Sequence, residues 1–258
     1  VITGFEINDW KTDTSIKYQD TRQENLEPFN HITIWQFDHL TIQPYNYLKT
    51  LIKLIFLLFL GLPAFSFGDQ PVKLQPGDLL FRGTVSGDLS KAIDQVTQTE
   101  NETHFSHMGL VELLGDSIFV LHASPEGGTC RVPLREFLHP RGDPVEVVAF
   151  RLKCPWQSAI PAALKRAGEM LGKPYNDHYI LVDTAYYCSD FVYRAFAADS
   201  VFSLDPMTFK DPQTGEFSPA WVEHYGKLGM EIPEGLPGCN PNGMATSGKL
   251  ERLGTVTE

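Results

Sequence analysis

Cys188 stands in the run Tyr186-Tyr187-Cys188-Ser189-Asp190-Phe191-Val192-Tyr193-Arg194-Ala195-Phe196. Phe191, Ala195 and Ala198 fall on one stripe and Val192 and Phe196 on the next, so the spacing predicts a helix with one apolar face. Cys188 is then at its start, where first-turn amides are unpaired and the dipole end is positive. A thiol placed there is expected to have its pKa lowered, which favours a nucleophilic thiolate. A buried, merely packed cysteine is the competing reading, because free cysteine is among the most buried residue types.

A cysteine nucleophile needs a base, and two histidines offer one. His107 lies in Phe105-Ser106-His107-Met108-Gly109-Leu110-Val111 and His122 in Ile118-Phe119-Val120-Leu121-His122-Ala123. Both runs read as strands, expected over about 105–113 and 118–124, joined by a hairpin at Leu114-Gly115-Asp116. Counting back from a turn centred between Leu114 and Gly115 sets His107 and His122 almost opposite each other. Residues so placed have Cβ atoms about 4.5–5.5 Å apart. One imidazole can then orient the other, giving nucleophile, base and orienter. His104 precedes the strand in the opposite phase and is a weaker base candidate; His178, in a polar loop, ranks third.

The elements that must hold these groups follow from pattern. Leu79-Leu80-Phe81-Arg82 after the turn Gln75–Asp78 reads as a strand, and Val145–Leu152 as another, rich in β-branched residues. Helices are expected over Ser90–Val96 with Ser90 as N-cap, over Ser158–Leu171 with Gly172 as stop, and near Ala220–Leu228. Thr99–Thr103 reads as a polar loop. Strands beside one or two core helices make an α+β pattern.

Upstream, Lys49 and Lys53 flank the apolar run Leu54–Leu62, which passes into the small-residue exit Pro63–Gly68. Basic flank, short apolar core and small exit make residues 48–68 a signal peptide, too short to span a membrane comfortably. Cleavage is expected after Ser66 or Gly68, with no stable membrane span left afterwards. The protein is then exported, to the periplasm or the exterior. Residues 1–47 contain no methionine and read as a doubtful upstream extension, translation being expected to begin near Tyr47.

Residues 69–258 are expected to form a single domain. They carry 16 Lys and Arg against 25 Asp and Glu. This acidic balance, with no basic patch, argues against nucleic acid as a partner. Cys130, Cys154, Cys188 and Cys239 match no metal-site spacing, so no metal or other cofactor is expected. Export would permit a disulfide, but a working Cys188 leaves at most one bridge among the other three.

Gly77-Asp78-Leu79-Leu80-Phe81, Ser106–Val111, Leu121-His122-Ala123, Gly172-Lys173-Pro174-Tyr175-Asn176 and Tyr187–Val192 occur in that order. Together they resemble the YiiX/YebB-like branch of the NlpC/P60 superfamily, the permuted papain-like amidases. The resemblance covers about 74–200, and Pro233–Pro241 looks like a feature of some members. It implies a permuted papain-like α+β fold, an antiparallel sheet or half-barrel against the cysteine helix, with the histidine strand preceding that helix. It also implies Cys188 as nucleophile, His107 as general base and His122 as the third polar group, a place often held by an acid. The amide of Cys188 is an expected oxyanion donor, with Tyr187 or Tyr186 as further oxyanion candidates. Asp78 caps a turn or binds a substrate amine. The implied substrate is a small peptide or amide, with cell-wall peptides suggested by the relatives. Lipid acyl chemistry of the retinol-acyltransferase kind is the alternative, and a non-catalytic binding module the third reading.

Overall fold

The computed structural model describes residues 49, 51–53, 71–83, 87–97, 99 and 104–257. The expected extension 1–47, most of the expected signal segment and all but Thr99 of the expected polar loop lie outside the described residues. The chain divides into two units, Val1–Ser66 and Phe67–Glu258. In the first, Lys49 and residues 51–53 are helical. No helix among the described residues is long and apolar enough to cross a membrane.

The second unit is an α+β domain. Its strands are β1 (Leu79–Gly83), β2 (Phe105–Leu114), β3 (Ser117–Ser124), β4 (Gly128–Pro133) and β5 (Val147–Leu152), then the short β6 (Asp205–Pro206) and β7 (Pro237–Gly238), and β8 (Leu250–Thr255). Six of them form one sheet in the order β4-β3-β2-β1-β5-β8. Every pairing in it is antiparallel. The helices are α1 (Asp88–Thr97), α2 (Leu134–Leu138), α3 (Ile160–Glu169), α4 (Cys188–Phe196), α5 (Pro219–Leu228) and α6 (Pro241–Ala245).

Alternation along the strands gives the sheet two apolar faces. Leu79, Phe81, Met108, Leu110, Leu121 and Ala123 pack under α3 and α4, which supply Ala163, Ala167, Phe191, Val192, Ala195 and Phe196. Leu80, Val111, Val120, Val147 and Ala149 face the other way, onto Phe137 and Leu138 of α2.

Several local expectations need correction. Helix α1 begins at Asp88, so Ser90 is inside the first turn rather than its cap; its hydroxyl instead donates to Ser106 Oγ at 2.8 Å. An acid in the first turn complements the helix dipole there. Helix α3 ends at Glu169, before Gly172, because the following amides of Met170 and Leu171 close tighter turns onto Ala167 and Gly168. Helix α4 ends at Phe196, which leaves Ala198 exposed rather than on the buried stripe. Strands β4, β6, β7 and β8 and helices α2 and α6 have no counterpart among the sequence expectations. All four cysteines are free thiols.

Candidate active site

Gly115 and Asp116 form the two-residue turn between β2 and β3, with Gly115 at φ +60°. The strand pairs therefore run Leu114 with Ser117 to Leu110 with Leu121. This is two residues out of step with the expected register. Continued, it sets His122 against Gly109, with His107 on the diagonal. A shift of two preserves facing, since side chains alternate with period two. Diagonal neighbours are within reach of ring side chains, and Nε2 of His107 and Nδ1 of His122 are 2.8 Å apart. The rings meet edge to face at 88°. Gly109 makes room for this: a Cβ there would lie 3.2 Å from that of His122 and 2.5 Å from Val120 Cγ1.

The contact is part of a longer row across the sheet. Arg82 on β1 is directly opposite His107, and His122 is directly opposite Cys130 on β4. Cys130 Sγ is 3.4 Å from His122 Nε2. Phe137 covers the row, with the Arg82 guanidinium 5.1 Å from its ring and the His107 and His122 rings at 5.7 and 5.3 Å. Arg82 Nη1 donates weakly to Phe137 O at 3.5 Å, while its buried Nε has no partner. Burial, with the charge of Arg82 added, holds both imidazoles far below their usual pKa; that of His122 falls to about 3. Both rings are neutral at ordinary pH.

Cys188 is the first residue of α4. Tyr187, in extended conformation, is its N-cap and gives no side-chain cap. The backbone amides of Met108 and Ser189 lie beside the sulfur and favour its thiolate. The Met108 amide belongs to the peptide that joins it to His107, so the thiol rests against the histidine strand. These amides and Arg82 favour the thiolate, but burial outweighs them and pushes the thiol up to about 11. The expected lowering is thus reversed: a helix start was visible in the sequence, and the depth at which the core holds it was not.

On its other side Cys188 borders a cavity of about 460 Å³. Its walls are largely apolar, with Val96, Tyr179, Phe202, Met207 and Phe209 prominent. Tyr187 also lines it, but its hydroxyl accepts the Cys239 amide at 3.3 Å. Tyr186 is turned away: its hydroxyl donates to Asp183 O and its ring lies under Arg194. Asp78 is buried in a two-pronged ion pair with Arg151, at 2.7 and 2.8 Å, and accepts the Gln75 amide. These bonds engage both its oxygens and give it a structural role at the turn before β1. His104 is exposed and pairs with Asp94, and His178 is exposed in its loop.

Residues 73–254 match the family of permuted papain-like amidase enzymes of the YaeF/YiiX kind, C92. The chain belongs to this family. It is 30% identical over 147 residues to YiiX of Escherichia coli (strain K12), an uncharacterised protein; the match spans 55% of this chain and 65% of that relative's length. The crystal structure of YiiX from Escherichia coli O157:H7, described as a metalloprotein, is similar with a TM-score of 0.56 at 23% identity, over 73% of this chain and 98% of that one. At that identity the likeness speaks for the fold. The permuted order is evident here, with β2 and β3 preceding α4 in the chain.

Arg82 and Cys130 were both missed as site residues. Arg82 closes the strand motif Leu79–Arg82, and Cys130 offers the sequence alone no more than a disulfide partner. Strand alternation could have flagged Arg82; Cys130 required β4 to be recognised first.

Proposed function

We propose that this chain is an exported cysteine amidase whose substrate carries an apolar acyl group. One observation carries the reading: Cys188, at a helix start, borders the His107–Met108 peptide on one side and the apolar cavity on the other. A cavity of this size is within the usual range for small-molecule sites. Its lining favours an acyl chain over the polar stem peptides of cell walls. Export rests on the pattern of residues 48–68.

The resting pair is a neutral thiol and a neutral imidazole. No hydrogen bond joins Cys188 to His107 in the resting structure, so with the amide bound the thiol must close on His107 Nδ1, which takes its proton as Cys188 Sγ bonds to the carbonyl carbon. The oxygen becomes an oxyanion, and the amide of Cys188 is its donor. The tetrahedral adduct collapses as the carbon–nitrogen bond breaks, and His107 returns the proton to the departing amine. Water then attacks the thioester and gives a proton to His107; the carbon–sulfur bond breaks, and Cys188 recovers its proton.

A non-catalytic binding module is the second reading, favoured by the raised pKa of Cys188. The metal implied for the YiiX structure is not carried over: among the described residues no group of three or more His, Cys, Asp or Glu side chains is arranged to hold one. His107 and His122 instead spend facing nitrogens on each other.

Hydrolysis of a dodecanoyl anilide separates the readings. Turnover by the native protein is expected, with complete loss in Cys188→Ala and a fall of about 10²–10⁴-fold in His107→Ala. Binding of the anilide without turnover supports the module instead.

A further inference from the structure

Cys130 ends the row Arg82, His107, His122, Cys130 with a direct contact to the outer nitrogen of His122. Two proton arrangements satisfy that row. In one, His107 Nε2–H donates to His122 Nδ1, and His122 Nε2–H donates to the Cys130 sulfur. In the other, the Cys130 thiol donates to His122 Nε2, His122 Nδ1–H donates to His107 Nε2, and the His107 proton moves to Nδ1. Neutral imidazole has one donor and one acceptor nitrogen, so no third arrangement keeps both contacts. Only the first leaves His107 Nδ1 able to receive a proton.

We propose that Cys130 is a positioning residue: by accepting the His122 Nε2 hydrogen it fixes the tautomers of both histidines and keeps Nδ1 of His107 free. The proposal rests on the reading of His107 as base. Charges at the two ends of the row favour the same arrangement. Arg82 stands beside His107 and acts on both imidazoles. Glu136 and Glu126 act on Cys130, and Glu126, which pairs with Arg141, acts on His122 and Arg82 as well. The field therefore runs from the cation at one end towards the carboxylates at the other. N–H and S–H dipoles that point along it are stabilised. The Cys130 hydrogen turns towards the carboxylates, its lone pair is left for His122, and both Nε2–H groups point away from Arg82. A carboxylate in this place would do the same and also stabilise an imidazolium; a neutral thiol fixes the tautomer alone.

The test combines histidine nitrogen NMR with alkylation of Cys188 by iodoacetamide, followed by peptide mass spectrometry. In the native protein His107 and His122 are both expected to be protonated on Nε2. Cys130→Ala is expected to bring in the Nδ1–H form of His107 and to slow Cys188 alkylation about three- to tenfold, the worth of one hydrogen bond. Cys130→Ser, which keeps an acceptor, should restore both. An Nδ1–H signal for His107 in the native protein would overturn the proposal, as would Cys130→Ala leaving tautomers and rate unchanged. If instead His107→Ala leaves alkylation unaffected, it is the base assignment that fails, while the nitrogen signals still decide the role of Cys130.

Discussion

His107 and His122 meet Nε2 to Nδ1 at 2.8 Å although they are not opposite each other in their hairpin. The diagonal works because Gly109, which occupies the opposite position, has no side chain to block the approach. The ring pair is therefore a property of three residues on two strands, and its neutrality is a property of their burial beside Arg82.

That neutrality makes stability depend on pH. Both histidines have folded pKa values below the unfolded value near 6.5. The unfolded chain binds their protons first as pH falls, so stability is full above about 6.5 and declines below it, towards pH 3 for His122. Each neutral histidine contributes a slope of about 1.4 kcal/mol per pH unit in that window. Urea unfolding at pH 7, 5.5 and 4.5 should show the decline, and His122→Asn should make it shallower. An equal slope in native and variant proteins would contradict the assignment.

Arg82 has a second consequence. Its charge favours a Cys188 thiolate while disfavouring a His107 imidazolium. Arg82→Gln should therefore raise the apparent pKa for Cys188 alkylation above that of the native protein, and Arg82→Lys should largely restore it. An unchanged pH–rate profile in Arg82→Gln would remove the guanidinium from the account of the thiol.

Asp78 gives a contrast. Its bidentate pair with Arg151 and its bond from Gln75 are the anchors of the turn before β1. Asp78→Ala should cost about 2–3 kcal/mol in urea unfolding, since it strands a half-buried guanidinium. Cys188 alkylation in the folded variant should be unaltered. A stable variant with impaired substrate affinity would return Asp78 to the list of substrate contacts.

Much of this arrangement could be read from residue order. The His107 and His122 strands, the Cys188 helix and their permuted sequence were all evident, because alternation and helical period are local signals. Burial was not: the same helix start that predicts a lowered thiol pKa is held under a sheet, where desolvation reverses the sign. Strand β4 escaped because Gly128-Thr129-Cys130-Arg131-Val132-Pro133 is short, ends in proline and lies at the sheet edge, where proline is tolerated. With it went the contact between Cys130 and His122. The hairpin register failed by two residues because the turn residues, rather than the strands, set it.

The cavity beside Cys188 makes substrate length a readout. A longer acyl chain should be hydrolysed with higher kcat/KM until the cavity is filled, by about fourfold per buried methylene at ~0.8 kcal/mol each. Met207→Trp, which narrows one wall, should depress the dodecanoyl anilide and spare the acetyl one. A series with no dependence on chain length would argue for a polar acyl group.

The most direct test of the nucleophile is to mix the protein with dodecanoyl anilide, quench in acid within the first turnover, and locate the acyl group by peptide mass spectrometry. The expected result is a thioester on Cys188, absent in Cys188→Ala and accumulating far more slowly in His107→Ala. Turnover that survives in Cys188→Ala, or an acyl group carried by any other residue, would contradict Cys188 as the nucleophile.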